Sequence, residues 1–453
     1  MAPSDGGGMA ASLRQAWSQS KTFRIVLSLA LGYTFLRSAV QAAFLSGLIV
    51  PGEYKTAGGM YVPPDLQVYL DAAGRLVARE DLYPSGPLPQ VEFYQYSPVF
   101  AMFFVPFRWL PTGALLLVHS LLHILAYAAL YFRWVRLFRR FSVGRAAEAM
   151  AWLLPVWLVY SSFWADWAYL NIYVVAALLS TFLLEAVLEE RLGLASLWLA
   201  LLLAVKPHWA FAALVPLLLG QTRFFFRLAL WGAAGYTALA LATMLAAGPG
   251  YGWRQHVAYA QFLLHLGANF PWRGPEAGFP GYNHSVLQTL VFWAGASPGV
   301  MHLATALKIL ATAPLAWVGV RHVLQPAGRP AREAPELGLD LAFALYLAAF
   351  LWLDWVWELS LGPVLFAYLA GTTDRRGGVW LAAIFLPLAL LDLWQLISVA
   401  AFGSRVIAGA YILTDPGIYL PITLIVILAF YAVLVKRLWQ APAAYAPAVQ
   451  PST

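Results

Sequence analysis

Polar residues that could do chemistry gather in five short segments of an otherwise apolar chain. They supply carboxylates, amides and one ammonium group: Asp65 and Asp71; Asp166 with Asn171; Lys206 with His208; Asn283 with His284 and Ser285; and Asp354 with Glu358. Taken singly, most have a structural interpretation as a helix cap, an interhelical hydrogen bond or a solvated loop acid. Lys206 is the exception, because an ammonium group at membrane depth needs an anionic partner or an interface. A phosphate group is one such partner.

The elements that must position these residues are hydrophobic helices. The 453-residue chain is 61% hydrophobic and 11% charged, with a mean hydropathy of +0.70, whereas about a quarter of the residues in soluble domains are charged. Apolar stretches of about 20 residues recur, and each is long enough to cross the hydrocarbon core as a helix that satisfies its own backbone. The sequence therefore predicts an all-α polytopic integral membrane protein.

Basic clusters between the apolar stretches predict how the chain crosses the membrane. Lys21 and Arg24 precede the first span, a run of arginines at 133–145 follows the next full span, and Lys436 and Arg437 follow the last. Such clusters mark cytoplasmic ends, so the alternation gives about twelve spans with both termini cytoplasmic. It also puts the five polar segments at or near the outer face.

The same alternation sets the expected domain boundaries. A disordered cytoplasmic tail is predicted at 1–22, one transmembrane domain at 23–438, and a cytoplasmic tail at 439–453. Two large external loops are predicted at 51–97 and 248–283. The stretch 192–222 predicts a short hairpin with Lys206 and Pro207 at its outward tip, and 285–296 predicts a short interfacial or re-entrant helix.

Other classes of function lack support. The chain has no cysteine, which excludes disulfides, thiolate catalysis and cysteine-ligated metal. It also has no phosphate-binding loop, dinucleotide fingerprint or HExxH motif. The net charge of +7 comes from loop clusters, so nucleic-acid binding is not expected. His119 and His123 share a helical face but lack a nearby carboxylate in the sequence, so no metal site is predicted.

Several short motifs nevertheless follow one another in a specific order. The first external loop contains Asp-Leu-Gln-Val-Tyr at 65–69, Asp-Leu-Tyr at 81–83 and Tyr-Ser-Pro at 96–98; Asn171, a Lys-Pro pair at 206–207 and Asn-His-Ser at 283–285 come later. In order and sidedness they resemble the bacterial polyprenol-phosphate-mannose-dependent mannosyltransferases of the GT-C fold. Ala168 and Tyr169 replace a Gly-Gln pair of that family, and Glu358 stands where many relatives carry histidine.

The resemblance implies a GT-C fold and an inverting glycosyl transfer. The expected sugar is mannose, moved from a polyprenyl-phosphate donor to a hydroxyl of a glycolipid or glycan at the outer face of the bacterial cytoplasmic membrane. A carboxylate must accept the proton of that hydroxyl. Asp65 is the candidate base, and Asp71 is the alternative, about two helical turns further on and expected nearly on the same face.

The leaving phosphate gains charge as the glycosyl bond breaks, so a positioned cation should stabilise the transition state. The candidate is Lys206, with Arg75, Arg254 and Arg273 as external alternatives. The residues expected to shape the donor pocket or position sugar hydroxyls are Tyr69, Tyr83, Asn171, His208, Asn283, His284, Ser285, Trp355 and Glu358. No resident cofactor is expected, and dependence on a divalent metal stays open.

A lipid-linked sugar flippase or secondary transporter is the competing class of function. Its polar residues would trace a route across the membrane, and its halves would often be inverted repeats. The hydropathy shows no such repeat, and the ionisable residues concentrate at one face. A noncatalytic scaffold would not explain the acids of the first external loop. The expected partners are the lipid-linked sugar, the acceptor and the bilayer.

Overall fold

Every regular element in the described part of the chain is a helix. The computed structural model describes residues 8–50, 52, 55–56, 58–84, 86, 88, 93–277, 283–323, 335–354, 359–402 and 416–444. The α-helices are α1 (Gly8–Gln19), α2 (Lys21–Leu45), α3 (Pro64–Ala78), α4 (Pro98–Phe104), α5 (Thr112–Arg140), α6 (Gly144–Trp152), α7 (Leu154–Val159), α8 (Ser161–Tyr169), α9 (Tyr173–Leu188), α10 (Leu192–Val205), α11 (Val215–Leu218), α12 (Thr222–Ala247), α13 (Pro249–Asn269), α14 (Val286–Ala294), α15 (Pro298–Val323), α16 (Pro335–Trp352), α17 (Gly362–Thr372), α18 (Arg375–Ala389), α19 (Leu391–Phe402) and α20 (Pro416–Ala444). Two 3₁₀ helices, Val105–Trp109 and Pro207–Leu214, follow α4 and α10.

The long helices carry the apolar surface of a membrane protein. Within the described residues, six are long and apolar enough to cross a bilayer. The number is seven if α6 and the segment Leu154–Tyr169, which are bent by 56° relative to each other, form one span. Side chains such as Phe35 (79% exposed) and Leu310 (72% exposed) point away from the protein, where lipid can cover them. The predicted all-α polytopic membrane protein is confirmed, whereas the count of twelve spans and the GT-C fold stay predictions.

Both ends of the chain depart from the predicted tails. Residues 8–19 were expected within a disordered segment, but they form α1, which packs against α6. Ala16 is fully buried there, so this helix packs on the protein through at least one small side chain. At the other end, α20 continues to Ala444, beyond the predicted boundary at residue 438.

The second predicted external loop is largely helical. Residues 249–269 form α13, whose buried side chains recur every three or four positions: Tyr251, Gln255, Tyr259, Phe262 and Leu266. That period is the signature of an amphipathic helix, although the Trp, Tyr and His residues of the segment favoured a loop. This face packs on the segment predicted as the first external loop, with the Tyr83 ring 5.6 Å from Tyr259 and 5.4 Å from Phe262.

Two breaks in helices place polar residues at one end of the bundle formed by α5, α9 and α10. The first lies between α8 and α9, where Leu170 takes the left-handed conformation. The second lies at Lys206, where α10 ends and a 3₁₀ helix begins at Pro207, as the sequence predicted. Both α5 and α10 pack against α9, which holds the two breaks in one bundle.

The opposite end of this bundle is fixed by arginine–glutamate pairs. Arg133 donates from Nε to Glu185 Oε2 over 2.6 Å, and Arg140 pairs with Glu189. Arg191 adds a further contact from Nε to Glu189 Oε2 at 2.8 Å. Both carboxylates are mostly buried, so the pairs neutralise charges that would otherwise be costly to bury.

One glycine sets how closely α17 approaches α6. A Cβ atom added at Gly371 would lie 2.6 Å from the Ala146 backbone nitrogen, and backbone cannot rotate away. We expect Gly371→Ala to lower the free energy of unfolding by about 1–3 kcal/mol, as overpacking does. At Gly378, where a Cβ would meet nothing within 4 Å, alanine should be neutral or add up to about 1 kcal/mol.

The measurement is denaturant unfolding of the purified protein in detergent micelles, followed by tryptophan fluorescence. Equal effects of the two substitutions would contradict the close approach of α17 and α6.

Candidate functional site

Asp65 lies in the first turn of α3, just after two prolines that begin the helix. Pro63 and Pro64 suit this position because the first helical amides have no intrahelical partner, and a carboxylate there is favoured by the helix dipole. The side chains of Leu66, Tyr69 and Ala73 are buried and pack α3 on α4. Asp65 is therefore held at the edge of a packed helix and remains half-buried.

Asn171 bonds the Asp65 carboxylate from the turn between α8 and α9. Its Nδ2 donates to Asp65 Oδ2 over 3.0 Å. Its Oδ1 accepts from the Tyr69 hydroxyl at 3.0 Å and from the Ile172 backbone amide at 2.7 Å. With both ends of the amide bonded, Asn171 has one orientation and presents an N–H to the carboxylate.

The turn that carries Asn171 is organised by Asp166. Its two carboxylate oxygens accept from the backbone amides of Tyr173 and Val174, each over 3.0 Å. These are the first two amides of α9, so Asp166 caps this helix from the preceding one. The Asn171 backbone N–H also donates to the Asp166 backbone oxygen at 3.0 Å. Asp166 is buried, which makes it a structural support of the site.

Lys206 approaches the same network over aromatic rings. Its Nζ lies 3.5 Å from the centre of the Tyr173 ring and 5.0 Å from that of Tyr96, at distances typical of cation–π attraction. Tyr96 continues the network, because its hydroxyl lies 3.0 Å from the Tyr69 hydroxyl. We call the set the Asp65–Lys206 site; it comprises Asp65, Tyr69, Tyr96, Asn171, Tyr173 and Lys206.

Burial keeps the hydroxyl at the centre of this site protonated. The pKa of Tyr69 lies well above its ordinary value, chiefly because the side chain is fully buried and further because Tyr96 and Asp65 lie nearby. Tyr69 is thus a hydrogen-bond donor at physiological pH. It can hold Asn171 without competing with Asp65 for a proton.

Asp71 lies on a different face of α3 from Asp65, which corrects the expectation that they share one. Six residues turn an α-helix by about 600°, which leaves the two side chains about 120° apart. Asp71 is exposed and accepts from Gln67 Nε2 at 2.7 Å. With Arg75 it lines a polar groove of about 610 Å³ whose other charged residues are Glu80 and Arg108.

Two other predicted residues lie close to the Asp65–Lys206 site. The Tyr83 hydroxyl donates to the Tyr96 backbone oxygen at 2.7 Å. His208 follows Lys206 in the 3₁₀ helix, with its ring 6.4 Å from that of Trp209.

Asn283 and Ser285 form a second cluster around the start of α14. Asn283 Nδ2 donates to the Asp354 backbone oxygen at 2.6 Å. Ser285 caps α14, because its Oγ accepts from the Gln288 backbone N–H at 3.1 Å. Asp354 pairs with Lys308 of α15. Sequence reasoning missed Lys308, although a lone lysine within an apolar span was a signal for such a partner.

Of the remaining predicted residues, the structure describes His284, Arg273 and Arg254. His284 is buried, and burial lowers its pKa to about 4, so it is neutral at pH 7. Arg273 exchanges backbone hydrogen bonds with the Gln288 side chain, and Arg254 is exposed on α13. Trp355 and Glu358 lie outside the described residues. Where the structure is described, no three His, Asp or Glu side chains are grouped as ligands of a metal ion.

The sequence also agrees with a known family over much of its length. Residues 94–348 match the family model of glycosyltransferase family 87, which is more than half of the chain. The chain belongs to glycosyltransferase family 87. No curated protein and no solved structure matches it significantly. Asn171 and Lys206 lie inside the matched region, whereas Asp65 precedes it.

This family 87 member is therefore a membrane glycosyltransferase, and the Tyr69–Asn171 hydrogen bond can be tested by substitution. We expect Tyr69→Phe to keep the ring packed against Phe100, whose centroid is 5.0 Å away, but to leave Asn171 less firmly oriented. Glycosyl transfer should fall at least about 10-fold, and unfolding free energy by about 1 kcal/mol. The measurements are initial transfer rates and denaturant unfolding on the same preparation.

The matched control is Tyr131→Phe, which removes another buried hydroxyl, bonded to the Met150 carbonyl at 3.0 Å. It should cost similar stability and leave transfer unchanged. Equal loss of transfer in both variants would show that Tyr69 has no special role.

Proposed function

We propose that this glycosyltransferase moves a sugar, mannose in our hypothesis, from a polyprenyl-phosphate donor to a hydroxyl group of a glycolipid or glycan. The observation that carries the proposal is the presence of both a carboxylate and an ammonium group in the Asp65–Lys206 site. The half-buried Asp65 carboxylate is oriented by Asn171. The Lys206 ammonium group lies over the rings of Tyr173 and Tyr96, and the Tyr96 hydroxyl contacts that of Tyr69 in the same network. Transfer from a phosphate leaving group requires a base that accepts the proton of the attacking hydroxyl and a cation that stabilises the phosphate.

Asp65 acts as the general base in this mechanism. Its carboxylate accepts the proton of the acceptor hydroxyl while the hydroxyl oxygen forms the new bond to the anomeric carbon. The bond from that carbon to the donor phosphate breaks on the opposite face, so the configuration inverts. The Asn171 hydrogen bond fixes the orientation of this carboxylate.

Lys206 stabilises the phosphate that leaves. Negative charge grows on the phosphate as the bond breaks, so a cation already in place lowers the energy of the transition state more than that of the bound donor. Lys206 is 5% exposed, and attraction between charges is stronger away from water. Arg75, Arg254 and Arg273 remain alternative phosphate ligands, and no resident cofactor is part of the mechanism.

The position of Asp65 favours it over Asp71 as the base. Asp71 is exposed and bonded to Gln67 within its own helix, whereas Asp65 is bonded to the network that also contacts Lys206. Tyr83, His208, Asn283, His284, Ser285, Trp355 and Glu358 are proposed to bind the donor or position sugar hydroxyls.

Charge asymmetry supports an outward-facing site in the cytoplasmic membrane. Tyr173 and Lys206 of the site lie at one end of α9 and α10, and Glu185 and Arg191 of the arginine–glutamate cluster lie at the other. Tyr173 and Glu185 are separated by about 18 Å along α9. Since arginine-rich ends are usually cytoplasmic, the opposite end faces outward, where a sugar donor must be carried by a lipid. Family membership favours transfer over the flippase alternative.

The central test compares two carboxylate variants in proteoliposomes. We expect purified wild-type protein to transfer radiolabelled mannose from polyprenyl-phosphate mannose to a membrane glycolipid acceptor, and Asp65→Asn to lose at least about 10²-fold in rate, because general bases contribute 10²–10⁴-fold. Asp71→Asn should retain most of the rate. Exposed Glu148 of α6 offers a neutral control, Glu148→Gln.

The outcomes separate base, donor and class. Loss in Asp71→Asn with activity retained in Asp65→Asn would exchange the two roles. Transfer from a nucleotide sugar instead of the lipid-linked sugar would overturn the donor assignment. Movement of the lipid-linked sugar across the vesicle membrane without transfer would support the flippase alternative.

Membrane orientation can be tested with single cysteines, because the natural chain has none. Pro84 and Arg376 are both exposed and lie on opposite predicted sides. We expect a membrane-impermeant maleimide to label Pro84→Cys in intact cells and Arg376→Cys only after permeabilisation. The reverse pattern would put the Asp65–Lys206 site on the cytoplasmic side.

A further inference from the structure

Two buried histidines of α5 face the turn that presents Asn171. His119 and His123 are 1% and 0% exposed, and their ring centres are 4.9 Å apart. His119 Nε2 lies 3.0 Å from the Leu170 carbonyl oxygen, and His123 Nε2 bonds the Asn171 carbonyl oxygen. Two successive carbonyls of the turn are thus each bonded by a histidine.

The rings differ in what their second nitrogen meets. Within the described structure, His119 Nδ1 has no hydrogen-bond partner. A neutral imidazole with its proton on Nε2 satisfies this arrangement, because it donates to Leu170 and needs no acceptor at Nδ1. His119 can therefore remain uncharged.

His123 meets oxygen at both nitrogens. Its Nδ1 lies 2.8 Å from the His119 carbonyl oxygen, and its Nε2 lies 3.5 Å from Asp166 Oδ2 in addition to bonding the Asn171 carbonyl. Carbonyl and carboxylate oxygens accept hydrogen bonds and do not donate them. Both nitrogens of this ring must carry a proton for every contact to be favourable.

We infer that His123 is an imidazolium that pairs with the Asp166 carboxylate and positions Asn171, and through Asn171 the Asp65 carboxylate. Burial of a charge requires a partner of opposite charge, which Asp166 supplies. The charges then balance locally, since His123 and Lys206 offset Asp166 and Asp65. A neutral His123 would leave this region with a net negative charge, in which a phosphate-bearing donor would be repelled.

The backbone of the turn needs such support. Leu170 has a φ of 51°, in the left-handed region that a branched side chain adopts only when its surroundings impose it. Asp166 fixes the amides that follow the turn, and the two histidines fix its carbonyls. Loss of the His123 contact would let the Asn171 peptide rotate and draw its side chain away from Asp65. The effect on transfer rests on the proposed function, whereas the charge state does not.

Solid-state NMR of the protein in proteoliposomes tests the charge state directly. Ring-¹⁵N histidine and carbonyl-¹³C asparagine labels select rings close to an asparagine carbonyl, as His123 is to Asn171. A His284→Gln sample removes the one histidine that directly follows an asparagine in the chain. We expect two protonated nitrogens on the selected ring at neutral pH. One unprotonated nitrogen would overturn the inference.

His119 is the matched control for this measurement. Its ring, identified by its loss in a His119→Gln sample, should show one protonated and one unprotonated nitrogen. If both rings were doubly protonated, the local charge balance would be wrong and the inference with it.

Kinetics test the positioning role. His123→Gln keeps a donor for the Asn171 carbonyl but carries no charge, so we expect kcat to fall about 10²-fold while the donor KM changes by less than about twofold. Tyr127→Phe, one helical turn away, removes a buried bond to the Trp157 carbonyl at 2.7 Å and should leave kcat unchanged. Unchanged kcat in His123→Gln would overturn the positioning role. Absence of transfer by the wild type would refute the proposed function, while the NMR result would still decide the charge state.

Discussion

One carboxylate, that of Asp166, holds the start of α9. Its two oxygens bond the first two amides of that helix, which have no partner within the helix itself. In a membrane, an unsatisfied backbone amide costs several kcal/mol, so this cap fixes where α9 begins. Asn171 precedes that start and bonds the Asp65 carboxylate. Tyr173 is the first residue of the helix, and its ring contacts the Lys206 ammonium group. The geometry of the Asp65–Lys206 site therefore follows from how one helix is capped.

The same requirement for partners shapes the rest of the membrane domain. Arg37 of α2 donates to Asp392 of α19 over 3.1 Å. Arg437 of α20 lies 3.2 Å from Asp340 of α16, whose other oxygen accepts from Tyr368 of α17. These pairs join helices that are distant in sequence. Because lipid offers no hydrogen bonds, such pairs favour the helix neighbours that satisfy them.

Hydropathy and charge asymmetry were sufficient to predict a helical membrane protein, because both depend on the bilayer and not on tertiary detail. The break at Lys206 was also predictable, since Lys and Pro together interrupt an apolar helix. The relative faces of Asp65 and Asp71 were misjudged, although helix geometry alone fixes them. The helix at 249–269 was missed because its buried face is largely tyrosine and phenylalanine, residues that also suit an external loop.

Some features of the site could not have been read from the sequence. The role of His123 depends on the Asn171 carbonyl and on Asp166, residues 48 and 43 positions away, and on backbone atoms whose positions follow only from the fold. Tyr96 was noted only as part of the Tyr-Ser-Pro motif and Tyr173 not at all, whereas the structure places Lys206 over both rings. Lys308 could have been noticed as a charged residue within an apolar span. Its pairing with Asp354 could not have been predicted, because Asp354 lies on another segment of the chain.

The two polar ends of α9 also constrain the number of residues between them. Tyr173 and Val174 bond Asp166 at one end, and Glu185 pairs with Arg133 at the other. One residue inserted between these ends would rotate one relative to the other by about 100° and lengthen the helix by about 1.5 Å. Either the cap or the ion pair would then be lost. Many apolar side chains could fill the middle of α9, but its length is as restricted as the identity of any residue in the site.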